Sequence, residues 1–383
     1  MQELCLPELA IARGVHSLAV RSAMADVLDL RHRLPLIWEH LQTGGGEIWV
    51  ARKVAAMSRH LDRFEVNVVD AGVADALAGE SPSRVLRIAQ AKVIEADQVG
   101  YRERLETELR KRYVGLSRTD EHGLRHVIAR VEAGDAAWID AMVDRVADAL
   151  AQRRDLIPDV PAEATKSELR SVAFGWLAHP ERVVELLGDA PARDFSRPTA
   201  ILYVHLHQAA LEGGWTGVAR CEGLGPLLLE QVRRLLGHAR VVLKPVIDLN
   251  SGSSVNAYEF PEAVKERTHL RCPGEVFPHA SRMSRHVDLD HPFSFNRHGP
   301  PGQTGDHNVA PLGRTHHRAK THLGYHLRQV GPDDYVWSTP HGQHRHVDGR
   351  GTHEIDELQA FELTHPGAID ASLDRLMVRL LPV

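Results

Sequence analysis

The sequence predicts a mostly α N-terminal domain, a small α+β connector and a C-terminal β-β-α finger. Three observations carry that prediction. Apolar residues recur at helical spacing through the first half, with recognisable starts and stops. The pattern then changes to short apolar runs separated by Gly and Pro. Finally, the stretch 286–322 reads as strand, Gly/Pro-rich loop, return strand and short helix.

In the first segment, 1–190, Ser81-Pro82 can cap and start a helix whose Val85, Ile88 and Ala89 share a face, and Tyr101 to Lys111 keeps helical spacing. Gly134-Asp135 precedes an amphipathic stripe of Ile139, Met142, Val143, Val146 and Leu150, which Pro158 and Pro161 interrupt. Glu168 to Leu187 reads as one further helix. Such stripes are ordinarily core. In the connector, 191–264, strands are expected at Ala200–His207, Val241–Leu243 and Val246–Ile247, a helix at Leu227–Leu236 and a turn at Ser251–Ser254. Gly223 and Gly225 lack a following G-K-[ST] and are read as turn residues rather than a phosphate loop.

Composition bounds the alternatives. A chain of 383 residues can hold two or three cores, and 5% aromatic residues with abundant Ala, Leu and Val favour helix packing over a β-sandwich. Cys5, Cys221 and Cys272 are scattered without pairing signals, so a reducing, cytoplasmic compartment is expected. No apolar run reaches the length of a membrane span, and Met-Gln-Glu-Leu at the start lacks the basic and apolar regions of a signal peptide.

The chemistry concentrates in 265–330. There Asp290-His291, Asn308, and His317 with Lys320 three residues on form an ordered D-H, N, H-x-x-K set. His286–Asp290 alternates as a half-buried strand, Phe293 to His307 is a loop, and Asn308–Leu312 is the return strand. Pro311 in it suits an edge or strand end. Thr315 is a candidate N-cap for the helix carrying His316, His317, Arg318 and Lys320. Successive side chains on a strand point to opposite faces, so Asp290 and His291 can divide the labour. Asp290 and His317 would hold one divalent ion on the phosphate side, and His291 would face the attacking water. Imidazole is suited to that proton, because it titrates near ~6.5. Asn308 can pin the loop with its donor and its acceptor. Arg314, Arg318 or Lys320 would lie over the phosphate. That set predicts metal-dependent phosphodiester cleavage.

The stretches Phe277-Pro278, Asp288-Leu-Asp-His291, Gly302-Gln-Thr-Gly305, Asn308-Val-Ala-Pro-Leu312, His316-His-Arg-Ala-Lys-Thr321 and Trp337-Ser-Thr-Pro-His-Gly342 resemble HNH endonucleases. They are most similar to the branch with an N-terminal helical domain of unknown function, number 222. Gly223-Leu-Gly-Pro226, Val232-Arg-Arg-Leu-Leu236, Phe260-Pro-Glu-Ala-Val264 and Leu270-Arg271 resemble the join between the two modules. The resemblance implies an HNH ββα-metal module at 265–330, His291 as general base, Asn308 orienting the base or its loop, and Asp290 and His317 as metal ligands. Mg²⁺ or Mn²⁺ is the expected ion, with Zn²⁺ or Ni²⁺ able to substitute in vitro. Many HNH proteins also hold a structural zinc on two cysteine pairs. Here Gly313-Arg-Thr-His316-His317 stands where one pair would be, and Cys272 is the sole thiol nearby, so no four-cysteine zinc site is expected. Phe277, Leu289, Phe293, Leu312 and Leu323 are the expected core of the finger. His316 reads as a helix-face residue, and His341, His344, His346 and His353 as an exposed polar hairpin within 331–383.

The whole chain carries a formal charge of -5, no sign of a polyanion partner. Residues 265–330, however, hold ten Lys and Arg against five Asp and Glu, and Arg282, Arg285, Arg297, Arg314 and Arg318 are candidate phosphate contacts. The resemblance implies DNA as the partner, and the helical domain leaves room for a homo-oligomer or a protein partner. The competing readings are a catalytically inactive nucleic-acid-binding protein and a protein-interaction module.

Overall fold

The computed structural model describes residues 5–188, 202–206, 217–236, 249, 252–283, 285–365 and 367. By contact the chain divides into two compact units. One comprises Met1–Gln98, Leu206–Glu230 and Arg240–Val383; the other comprises Val99–His205 and Gln231–Ala239.

The first unit opens with six helices: α1 (Cys5–Arg13), α2 (Ser17–Arg33), α3 (Pro35–Gln42), α4 (Ile48–Ser58), α5 (Glu65–Gly79) and α6 (Pro82–Ala96). Ser81 stands at the N-cap and Pro82 in the first turn of α6, as expected of a helix start, but the Ser81 hydroxyl makes no capping hydrogen bond; Val85, Ala89, Val93 and Ile94 form the buried stripe. These join Leu30, Leu34, Ile37, Val50, Val54, Val66, Val69 and Val73 in one core. A buried carboxylate fixes the entry of α3. Asp70 accepts the free amides of Leu36 (2.9 Å) and Ile37 (3.0 Å), which no preceding helical turn could satisfy.

The second unit contains α7 (Gln98–Leu109), an antiparallel hairpin of β1 (Tyr113–Leu116) and β2 (Val127–Arg130), and α8 (Ala133–Gln152). A 3₁₀ turn, α9 (Lys166–Trp176), α10 (Pro180–Gly188) and a short β3 (Val204–His205) follow. Val143, Val146, Ala147 and Leu150 of α8 pack against Leu169, Ala173 and Leu186, whereas Ile139 of the expected stripe is exposed. The single helix expected over Glu168–Leu187 is two. Pro180 cannot continue α9, because its ring would clash with the preceding turn, and it starts α10 instead. Thr165 and Glu168 close α9 with a capping box.

In the first unit, β4 (Val218–Cys221) and β5 (Gly225–Leu228) form a hairpin; α11 (Leu229–Leu236) follows, its residues from Gln231 on belonging to the second unit. The helix expected from Leu227 therefore starts two residues later. Gly223 (φ 78°) and Gly225 (φ 89°) take the left-handed backbone of the turn, as expected of turn glycines. The strands expected at 241–243 and 246–247 lie outside the described residues; of that expected at 200–207, the described residues 202–206 hold only the two-residue β3. Ser254, expected in a turn, belongs to β6 (Ser254–Val255), which pairs with β8 (Thr304–Gly305).

Helix α12 (Glu262–Arg271) leads into β7 (Asp288–Asp290). Strand β9 (Ala310–Leu312) pairs with β7 in antiparallel register, Leu289 opposite Pro311, and α13 (Arg314–His322) follows. The return strand starts at Ala310 rather than Asn308, because Asn308 spends its side chain on the loop. Gly313, not Thr315, occupies the N-cap, and the Glu275 carboxylate accepts its amide at 2.7 Å.

The tail is no isolated polar hairpin. Strands β10 (His326–Gln329), β11 (Tyr335–Ser338), β12 (His344–Asp348) and β13 (Gly351–Ile355) make a four-stranded antiparallel sheet, capped by α14 (Glu357–Thr364). Leu327, Tyr335, Trp337 and Val347 pack on Cys272, Val276, Ala310 and Leu312. The expected division at 330/331 thus falls between β10 and β11, inside a continuous core. Of the expected finger core, Leu312 is fully buried, Leu289 and Phe277 are partly so, and Phe293 and Leu323 are more than 60% exposed (61% and 63%). The larger aromatics Tyr335 and Trp337 fill the space, with their polar atoms bonded to the Val309 and Val276 carbonyls.

The sheet also meets the N-terminal helices of its own unit. A Cβ on Gly351 (φ 124°) would stand 2.2 Å from the Gly79 carbonyl carbon, and one on Gly79 2.7 Å from the Arg350 carbonyl oxygen. Gly351→Ala is therefore expected to destabilise the unit by at least about 1–3 kcal/mol from backbone strain alone, read from its chemical denaturation midpoint. An unchanged midpoint would refute the close approach.

Candidate active site

Asp290 is the last residue of β7 and His291 follows it, and the two side chains meet different partners. Asp290 turns to α13, where its Oδ1 lies 3.4 Å from His317 Nε2 and its Oδ2 2.7 Å from Lys320 Nζ. His317 is oriented from its other side, its Nδ1 lying 2.9 Å from Asp288 Oδ2. An ionised carboxylate only accepts, so Nδ1 donates to Asp288 and Nε2 is the ring nitrogen left facing Asp290. A lone pair facing a carboxylate oxygen at that distance is unfavourable unless a proton or a cation stands between them. Asp290 Oδ2 is buried without a directed hydrogen bond, its ammonium neighbour notwithstanding. The pair thus fits a divalent cation with two protein ligands, and the Asp288–His317 contact is the outer support that metal-bound imidazoles require.

His291 packs into an aromatic wall. Its ring stacks on Phe260 (centroids 4.4 Å apart), with Tyr258 and Phe295 at 5.4 and 5.8 Å. Nε2 meets Thr304 Oγ1 at 2.9 Å, while Nδ1 has no protein partner among the described residues. Burial lowers the imidazole pKa; the Asp290 charge opposes this and Lys320 adds to it. A lowered value keeps the ring neutral at pH 7, the form that can accept a proton.

Asn308 is buried and spends its whole side chain on the loop after His291. Oδ1 accepts from the Phe293 amide (2.7 Å), and Nδ2 donates to the carbonyls of Phe293 (2.9 Å) and Gln303 (2.8 Å). The loop is anchored again two residues earlier. Arg267 of α12 grips Asp306 through Nε (2.7 Å) and Nη2 (2.6 Å), and Asp306 also accepts from the Ser253 amide. Burial alone would raise the Asp306 carboxyl; the Arg267 hydrogen bond and charge hold it below its usual range.

Several sequence assignments change. Lys320 is mostly buried and committed to Asp290 and the His291 carbonyl, so it is part of the site's interior rather than an outer phosphate contact. Arg285 is held between Glu222 and Glu266, which takes it off the set of candidate phosphate ligands. Arg314 remains 75% exposed, although its guanidinium touches Asp288 at 3.1 Å, and Arg318 is exposed. His316 is no free helix-face residue. It stacks on Phe277 (3.9 Å, 5°) and its Nδ1 meets Glu275 at 2.7 Å. Burial pushes the Cys272 thiol up to about 11, so it offers no thiolate. Asp288 was missed as an outer partner of His317, yet its place two residues before Asp290, on the same strand face, was a usable signal.

Among the described residues, the group of three His, Cys, Asp or Glu side chains with ligand atoms mutually within 4.8 Å is Asp334, His346 and Asp348, which could hold a metal ion. No helix among the described residues is long and apolar enough to cross a membrane. Comparison with protein-family models, curated proteins and solved structures returned no match.

Breaking the Arg267–Asp306 pair should show how far the loop depends on it. Asp306→Ala removes the buried carboxylate that Arg267 and Arg271 share and is expected to cost about 3–5 kcal/mol in denaturant unfolding. A loss below about 1 kcal/mol, the range of exposed pairs, would mean that the pair is solvated.

Proposed function

We propose that the chain is a metal-dependent endonuclease of the HNH kind, with β7, β9 and α13 as its ββα-metal finger and DNA as its substrate. The observation that carries this reading is the convergence of Asp290 Oδ1 and His317 Nε2 to 3.4 Å, with His291, the residue after Asp290, stacked on Phe260 instead. Asp290 and His317 would hold one divalent ion, Mg²⁺ or Mn²⁺. Bound there, the ion supplies positive charge to the scissile phosphate and to the departing 3′ oxygen. His291 takes a proton from the attacking water, for which a neutral ring with an unoccupied nitrogen is the required form. Asn308 fixes the loop that follows the base, and Asp288 sets the tautomer of His317. Arg314 and Arg318, exposed on α13, would contact the backbone of the nucleic acid and make binding salt-sensitive. In-line attack leaves a 5′ phosphate.

One observation favours a second reading, a nucleic-acid-binding protein that does not cut. His291 is 4% exposed, and its Nε2 is engaged by Thr304. A base behind Tyr258 and Phe295 must be reached by water, whereas a purely structural imidazole need not be.

Plasmid nicking across divalent metals separates the two. Cleavage by the wild type is expected, with His291→Ala slower by about 10²–10⁴-fold, the usual contribution of a general base. Salt-sensitive DNA binding without nicking would support the second reading. For the ligands, Asp290→Ala and His317→Ala should abolish Mn²⁺ binding at this finger, and Asp288→Asn should weaken it by about 10–100-fold, as outer-shell losses do. Undiminished Mn²⁺ affinity in both ligand variants, by calorimetry, would show the assignment to be wrong.

A further inference from the structure

The four-stranded sheet carries a second set of candidate ligands, built from strands that supply nothing to Asp290 and His317. Alternation puts His346 and Asp348 on one face of β12. Register sets Tyr335 opposite Val347, so the preceding residue, Asp334, falls beside Asp348. On the other flank His353 stands opposite His346. The distances follow from that frame. His346 Nε2 lies 3.7 Å from Asp334 Oδ1, His353 Nε2 lies 3.1 Å from Asp348 Oδ1, and the two imidazole rings are 6.1 Å apart.

We propose that Asp334, His346 and Asp348 form a second divalent-cation site, of the class that takes Zn²⁺ on one imidazole and two carboxylates, with His353 holding Asp348 in position. The donor set is mixed nitrogen and oxygen, which suits a first-row ion of borderline softness. The carboxylate–imidazole contact behind Asp348 is the outer support expected of a ligand.

The position suggests what the ion does. It would tie the start of β11 to the end of β12 and, through His353, to β13. That sheet places Tyr335 and Trp337 in the core beneath β9. Such a clamp would be structural, stabilising the module where no four-thiolate site can be built, and it stands or falls independently of DNA cleavage.

The test is Zn²⁺ binding by the full chain carrying Asp290→Ala and His317→Ala, which removes the proposed nuclease ligands. Titration calorimetry is expected to find a remaining site, and adding His346→Ala and Asp348→Asn to weaken it by at least about tenfold, the smallest loss usual even for outer-shell partners. Equal Zn²⁺ affinity with and without those two changes overturns the site, as does the absence of any Zn²⁺ binding in the parent variant. A measurement independent of the parent variant's folding is the thermal midpoint of the wild type. Zn²⁺ should raise it, and should raise it less in His346→Gln. An equal shift in both chains overturns the proposal. A chain that fails to nick DNA but keeps His346-dependent Zn²⁺ binding refutes the nuclease reading and leaves this one intact.

Discussion

The buried pair of Arg267 and Asp306 holds the C-terminal module in register. A charge removed from water is costly unless its partner is close and its remaining hydrogen bonds are filled. Here the guanidinium binds the carboxylate through two nitrogens, a third bond runs from Arg271, and the Ser253 amide completes the carboxylate's set. Helix α12, strand β6 and the loop ahead of β9 are thereby fixed to one point. Thr304 and Asn308 sit on either side of that point in the chain, so the contacts that position His291 and its following loop inherit their precision from it.

Around this anchor the module divides apolar and polar work by strand face. The inner faces of β9, β10, β11 and β12 supply Ala310, Leu312, Leu327, Tyr335, Trp337 and Val347 to one core. The neighbouring polar positions gather ionisable groups into small clusters: Asp288, Asp290, His317 and Lys320 beside α13, and Asp334, His346, Asp348 and His353 on the outer sheet. Much of the positive charge counted in 265–330 is consumed by this construction. Arg267, Arg271 and Arg285 are paired with acidic partners, leaving the exposed arginines of α13 to face solvent. Net charge along a sequence window therefore overstated the surface available to a polyanion.

The sequence by itself determined the local order of this protein. Helix starts at Ser81-Pro82, the stripe of Val143, Val146 and Leu150, and the strand–loop–strand–helix order of 286–322 follow from periodicity and from the backbone limits of Pro and Gly, which act within a few residues. Asn308 as a loop pin was legible too, because an amide side chain beside a Gly/Pro-rich loop has few other uses. Tertiary structure decided everything that depends on residues far apart in the chain. It joined the tail to the finger core through Tyr335 and Trp337, withdrew Lys320 and Arg285 from the surface, gave His316 to Glu275 and Phe277, and set Gly79 against Gly351. The reason is that burial and ion pairing are properties of the assembled surface. Neither hydrophobic period nor residue count records which carboxylate a given cation will meet.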